Sequence, residues 1–208
     1  MPGAVHAAPP GWAGGLERIV AGTRQRPWRE ALLAWAYRCL TPTLELPWLE
    51  NFGQVTPRLW RGAQPSKQGL RQLQRMGVST IVNLRSESEA EADTVRALGL
   101  RYVYLPFDPI GAPDHAETLE FLRVASDAEN GVVFFHCYHG ADRTGMLAAC
   151  YRIAMQGWSS EEAIAELDRF RFHHLFQRSK LDYIRDFAAH WRALGDRPRE
   201  ATPVMQPV

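Results

Sequence analysis

Gly131-Val132-Val133-Phe134-Phe135-His136-Cys137-Tyr138-His139-Gly140-Ala141-Asp142-Arg143-Thr144-Gly145 is a run of three unlike parts. The first five residues are apolar and bounded by turn formers, which is how a strand covered on both faces reads. From Met146 the apolar residues recur at helical spacing. Between the two lies a short polar loop in which Cys137 and Arg143 are separated by five residues, with Gly140 inside and Thr144 directly after the arginine. Strand, tight loop and helix together build an anion cradle with a nucleophile at its floor.

The chemistry asks for these residue types at this spacing. A loop that runs into a helix N-terminus, here Tyr138, His139, Gly140, Ala141, Asp142 and Arg143, aims several backbone N–H groups inward and adds the positive end of the helix dipole. A phosphate dianion fits there, and the same field favours a thiolate, so Cys137 is expected to be ionised at neutral pH. Arg143 is planar and permanently charged and can grip two phosphate oxygens at once. Its grip tightens as charge spreads over the equatorial oxygens in the transition state, where binding energy accelerates a reaction. Gly140 permits a backbone conformation that a side chain obstructs. Thr144 is placed to donate its hydroxyl to the Cys137 sulfur, improving it as a leaving group. His136 is expected to orient the loop by hydrogen bonding rather than to act as a base.

His136-Cys137-x5-Arg143-Thr144-Gly145 resembles the active-site signature of the cysteine-dependent protein tyrosine phosphatases, in particular their compact dual-specificity branch. The resemblance spans roughly Asn51 to Ala189 and includes Arg58-Leu59-Trp60-Arg61-Gly62-Ala63-Gln64-Pro65, Gly77-Val78-Ser79-Thr80-Ile81-Val82-Asn83-Leu84-Arg85 and Gly157-Trp158-Ser159, which are similar to a bacterial subgroup. It implies hydrolysis of a phosphate monoester, on a protein or another carrier, through a phosphocysteine on Cys137. It also implies a general acid on a loop ahead of the signature. Asp108 is the first candidate, since it follows the strand-like Tyr102–Phe107 and opens a loop with Pro109, Gly111 and Pro113. Asp114 stands where a helix N-cap belongs. Asp142, inside the loop, is similar to an in-loop aspartate of myotubularin-type lipid phosphatases, and His139 to a residue of RNA 5′-triphosphatases. A phosphoinositide or RNA 5′-triphosphate substrate therefore stays open beside phosphoprotein, as does a non-catalytic phosphate-binding module. Arg61 and Arg85 each end a strand-like segment where they add positive charge to the cleft or sit in ion pairs.

The chain has 208 residues with 24 basic and 23 acidic side chains, a formal net charge of +1. That balance gives no electrostatic reason to expect nucleic acid as a partner. Three cysteines suit a reducing compartment better than a disulfide framework, and Cys150, among Leu147, Ala148, Ala149 and Ile153, reads as a small core residue. The adjacent His173 and His174 diverge on any regular element and have no carboxylate or cysteine cluster with them, so neither metal nor cofactor is expected.

Residues 1–50 read as an extension, 51–195 as a catalytic domain and 196–208 as a disordered tail. Within the extension, Trp28–Leu40 is an amphipathic helix, too short to span a bilayer. Packing on the domain is the expected use, with peripheral contact to a membrane or a partner through residues 28–40 as the alternative. Met1–Gly15 lacks the pattern of a signal peptide, which points to the cytoplasm while leaving a periplasmic or membrane-associated site open. Oligomeric state is not legible. Strand or hairpin 54–61, helix 67–76, strand 78–84, helix 87–98, strand 101–107, helix 114–128, strand 132–135, helix 144–155, a helix opened by the capping box Ser159-x-x-Glu162 and helix 180–194 alternate along the domain. That order argues an α/β fold with helices on both faces of a mostly parallel central sheet.

Overall fold

The structure is a computed structural model that describes residues 44–46 and 48–196. The expected helix at 28–40 and the expected tail from residue 197 onward lie outside the described residues. Six strands form one sheet in the order β1-β2-β3-β6-β4-β5, where β1 is Leu44–Leu46, β2 Leu49–Thr56, β3 Leu59–Gly62, β4 Val78–Arg85, β5 Arg101–Phe107 and β6 Val132–His136. The β1–β2 and β2–β3 pairs are antiparallel; β3–β6, β6–β4 and β4–β5 are parallel. The α/β architecture with a mostly parallel sheet is the expected one. Strand β1 and the start of β2 precede residue 51, so sheet pairing begins inside the stretch read as an extension.

Strand β6 sits centrally because it can be buried on both sides. Successive side chains point to opposite faces, so Val133 and Phe135 enter one core and Phe134 the other. The first core packs under α3 (His115–Ser126), α4 (Asp142–Gln156), α5 (Ser160–Leu167) and α6 (Arg178–Asp196), with Phe121, Leu122, Leu147, Ile184 and Phe187 fully buried. The second lies under α1 (Lys67–Arg75) and α2 (Ala92–Ala97), around Trp60, Leu70, Leu73, Ile81 and Val95. Cys150 lies in the first core without exposure, and burial pushes its thiol up. This is the packing role expected of it, and it leaves Cys150 inert.

Helix starts follow their caps. Ser159 and Glu162 bond reciprocally as a capping box, and Asp114 with Glu117 forms a second. Asp114 is thus an N-cap. One helix needs correction: residues 87–98 read as a single Glu/Ala-rich helix, but α2 begins only at Ala92. Helix propensity loses there because Glu87 and Glu91 are held by long-range partners, Arg143 and His136, and intrinsic propensity yields to such contacts. Met76, the last residue of the expected helix 67–76, is the C-cap of α1 and is 43% exposed.

Candidate active site

Gly62 of β3 and Asn83 of β4 both pair with His136, so the signature loop leaves the sheet between two parallel neighbours at their carboxyl ends. Open α/β sheets place ligands at such a position. The loop then enters α4 at Asp142. Its N-cap, Ala141, offers no side-chain hydrogen bond, so the donors of the first turn stay available to an anion. Gly140 has φ +68°, and a Cβ there would lie 2.4 Å from the Gly62 carbonyl carbon and 2.5 Å from the Ala63 nitrogen. Both obstacles are backbone and cannot rotate away. Gly140→Ala is expected to lower stability by at least about 2 kcal/mol, from left-handed strain plus overpacking; an unchanged urea midpoint would show that the loop has another way to turn.

A cavity of about 360 Å³ opens at the loop, lined by Glu87, Pro109, Ile110, Cys137, Tyr138, His139, Asp142, Arg143 and Gln177. Cys137 is 3% and Arg143 5% exposed, so both lie at the floor. Arg143 Nη1 donates to Glu87 Oε2 at 2.7 Å and reaches the Leu84 and Phe107 carbonyls at 3.4 and 3.3 Å, while Nη2 donates to Glu87 Oε1 at 2.9 Å. Those bonds use three of the five guanidinium N–H groups and leave the Nε–Nη2 edge for an anion. Burial opposes the charge on Arg143, but the Glu87 hydrogen bonds and the nearby Cys137 charge outweigh it and raise its pKa. Glu87 answers in kind: hydrogen bonding from Arg143, then from Arg85, holds its carboxyl far below the usual range.

A relay of side chains runs behind the loop. Arg85 donates to Glu87 and to Gln64, and Gln64 donates to Glu91. Glu91 meets His136 Nε2 at 2.7 Å, and His136 Nδ1 lies 3.1 Å from the Cys137 carbonyl. His136 is buried with both nitrogens engaged. Arg85 does sit in an ion pair, 5.0 Å from the Tyr138 ring. Thr144 Oγ1 is buried with no hydrogen-bond partner among the described residues, so the expected bond to the Cys137 sulfur is not formed in this state.

The three candidate acids are in different settings. Asp142 lines the cavity, but its carboxylate receives the His173 backbone N–H at 3.0 Å and faces His173 Nδ1 at 3.0 Å. Asp114 caps α3. Asp108 is exposed and folds back on its own loop, accepting from the Ile110 and Gly111 N–H groups at 2.7 and 2.5 Å. Those two bonds, Gly111 first, lower its pKa. Its neighbours Pro109 and Ile110 form the cavity wall, and Lys180, buried at the start of α6, donates to both of their carbonyls at 3.0 Å. Sequence reasoning missed Glu87, Gln177 and Lys180. A lysine in an otherwise apolar helical face, as Lys180 is beside Leu181 and Ile184, was the one available signal. His174 pairs with Asp168, and no group of three metal-ligating side chains occurs among the described residues.

Residues 50–184 match a family model described as a DSP-PTPase phosphatase fused to NAD+ kinase. The chain is 34% identical over 160 residues to the dual specificity protein phosphatase TpbA of Pseudomonas aeruginosa, covering 76% of this chain and 66% of that one. A crystal structure of TpbA in complex with pTyr superposes with a TM-score of 0.60 at 31% identity, covering 74% of this chain and all of the crystallised chain. An inositol diphosphatase of Arabidopsis thaliana is 29% identical over 152 residues, covering 64% of this chain and 75% of its own length.

Proposed function

We propose that this chain, which belongs to the DSP-PTPase family of phosphatases, hydrolyses phosphate monoesters through a phosphocysteine and prefers phosphotyrosine. The observation that carries this reading is Cys137, 3% exposed at the floor of the cavity, beside an arginine whose Nε–Nη2 edge is not taken up by Glu87. Cys137 attacks phosphorus in line. Arg143 and the loop amides hold the three equatorial oxygens, and water then cleaves the phosphocysteine. A thiol only 3% exposed is reached by a phosphate on an aromatic ring more readily than by one on a short serine or threonine stem. The complex of TpbA with pTyr supports the same choice. Inositol diphosphate and RNA 5′-triphosphate fit less well, because among the described residues Arg143 is the only lysine or arginine lining the cavity while Glu87 and Asp142 bring negative charge. The test is kcat/KM on matched peptides carrying phosphotyrosine, phosphoserine and phosphothreonine, with inositol diphosphate and RNA 5′-triphosphate alongside. A rate on either polyphosphate that exceeds the phosphotyrosine rate would overturn the assignment.

Asp108 is the proposed general acid. Its loop already forms the cavity wall, and a local rotation that releases the Ile110 and Gly111 N–H groups brings the carboxyl to the leaving oxygen. Tyrosinate is a poor leaving group, with a phenol pKa of about 10, and nitrophenolate a good one. Asp108→Asn is therefore expected to cut phosphotyrosine turnover by about 10²–10³-fold and para-nitrophenyl phosphate turnover far less. The wild-type rate on phosphotyrosine should rise as pH falls toward the lowered Asp108 range, since only the protonated carboxyl can donate, and the variant should lose that dependence. Asp142→Asn is the control. Should it show the steep leaving-group dependence instead, the acid is Asp142.

A further inference from the structure

Four consecutive carbonyls of the signature loop are held from outside. The Cys137 oxygen faces His136 Nδ1 at 3.1 Å, and the Tyr138 oxygen accepts from the Gln64 N–H at 3.1 Å. The His139 oxygen accepts from Asn51 Nδ2 at 3.1 Å and the Gly140 oxygen from Arg61 Nη2 at 2.7 Å. In a trans peptide the N–H points opposite the carbonyl of the same plane. Fixing these four carbonyls outward therefore aims the amides of Tyr138, His139, Gly140 and Ala141 inward, toward the anion. Three of the four partners come from the β2–β3 hairpin and the turn after it, outside the signature altogether.

Among these partners Arg61 brings a permanent charge. It is 1% exposed, its guanidinium carbon lies 3.7 Å from the centre of the Phe170 ring, and its Nε and Nη1 have no hydrogen-bond partner among the described residues. Burying an arginine with donors unmet is costly unless the charge is used. The acidic side chain that acts on it, Glu166, already accepts from Nε and Nη2 of Arg152 at 3.0 and 2.6 Å. Burial lowers the Arg61 pKa to about 10, which leaves it protonated at neutral pH, and Cys137 is among the charges that oppose the drop.

We infer that Arg61 is a positioning residue of the phosphate site: it holds the Gly140 carbonyl so that the loop amides face the phosphate, and it brings a second buried positive charge to the loop from beneath. The inference rests on the phosphatase reading above. It assigns to β3 a share in the site that Cys137-x5-Arg143 does not contain. Arg143 grips the oxygens from one side, and Arg61 keeps the ring of amides in the shape that receives them. Because Arg61 acts through the loop, its loss should weaken every oxyanion ligand alike, whatever alcohol the phosphate was attached to.

The experiment compares wild type, Arg61→Lys, Arg61→Gln and Arg61→Met in the full chain. It reads para-nitrophenyl phosphate kinetics, competitive inhibition by vanadate, and the rate at which iodoacetamide alkylates Cys137 at pH 6. Arg61→Met is expected to lose about 10–100-fold in kcat and in vanadate affinity, the usual effect of removing an outer partner of a site, and to alkylate more slowly. Arg61→Lys keeps the charge and a donor and should recover most of both losses. Arg61→Gln keeps a donor without the charge and should recover less. Should Arg61→Met fail to fold, as judged by circular dichroism, the Lys and Gln variants carry the comparison. A folded Arg61→Met or Arg61→Gln with wild-type kcat and vanadate affinity overturns the inference, and so does equal recovery by Lys and Gln of the alkylation rate, which would remove the role of charge. Failure of the phosphatase reading looks different: wild type itself would neither turn over nor bind vanadate.

Discussion

Cys137→Ser is expected to abolish hydrolysis of para-nitrophenyl phosphate, lowering kcat by roughly 10⁴-fold or more, the scale on which losing a nucleophile is felt, while vanadate and phosphate still bind. Serine presents an oxygen at nearly the same place, so the question is what would activate it. A hydroxyl nucleophile needs an adjacent base, and neither His136 nor Glu87 can serve as one. His136, the nearest histidine in sequence, is fully buried with Nδ1 against the Cys137 carbonyl and Nε2 against Glu91. Glu87 is held ionised by Arg143 and Arg85, but its carboxylate is oriented toward those arginines and not toward the nucleophile. The arrangement suits a thiolate, which needs stabilisation of charge and no base. The measurement is turnover by the two proteins side by side with a chelator present. Residual serine activity within about tenfold of wild type would mean that some other residue carries the nucleophilic step.

How much of this was legible beforehand follows from how local each feature is. The strand, loop and helix around Cys137 are adjacent in sequence, and each has its own signal: an apolar run, a glycine with positive φ, helical spacing. The N-cap at Asp114 and the capping box at Ser159 are readable for the same reason, since a cap acts on residues of the turn that follows it. Glu87 and Glu91 were misread as helix because their composition is helical and their partners, Arg143 and His136, lie 56 and 45 residues away. Lys180 meets the Asp108 loop across 70 and 71 residues, and Asn51 and Arg61 meet the signature loop across 88 and 79. Only the strand order, which sets β3 beside β6 and packs α6 over the same end of the sheet, brings such pairs together. The place of Asp108 on a loop after β5 is legible in the sequence; the hold of its own backbone on its carboxylate is not.

Arg143→Lys is the substitution that tests the geometry of charge rather than its presence. The arginine holds the two oxygens of Glu87 and reaches the carbonyls of Leu84 and Phe107, and in the proposed reaction the phosphate takes its remaining edge. A lysine ammonium has three donors on one nitrogen and no planar fork. Placed here it can pair with Glu87 or point into the cradle, and it cannot do both. With the pair kept, the phosphate loses its bidentate partner; with the pair broken, Glu87 stands uncompensated at the cavity wall and repels the incoming dianion. Either way kcat/KM is expected to fall about 10²–10³-fold, comparable to removing a preorganised donor to a developing oxyanion. The two routes separate in the double variant. If repulsion by Glu87 is the larger part, adding Glu87→Gln to Arg143→Lys should recover phosphate and vanadate binding with little recovery of kcat, because the fork that follows charge into the transition state is still missing. Near-normal kinetics for Arg143→Lys alone would show that a point charge suffices and that the Glu87 brace has no part in aiming it.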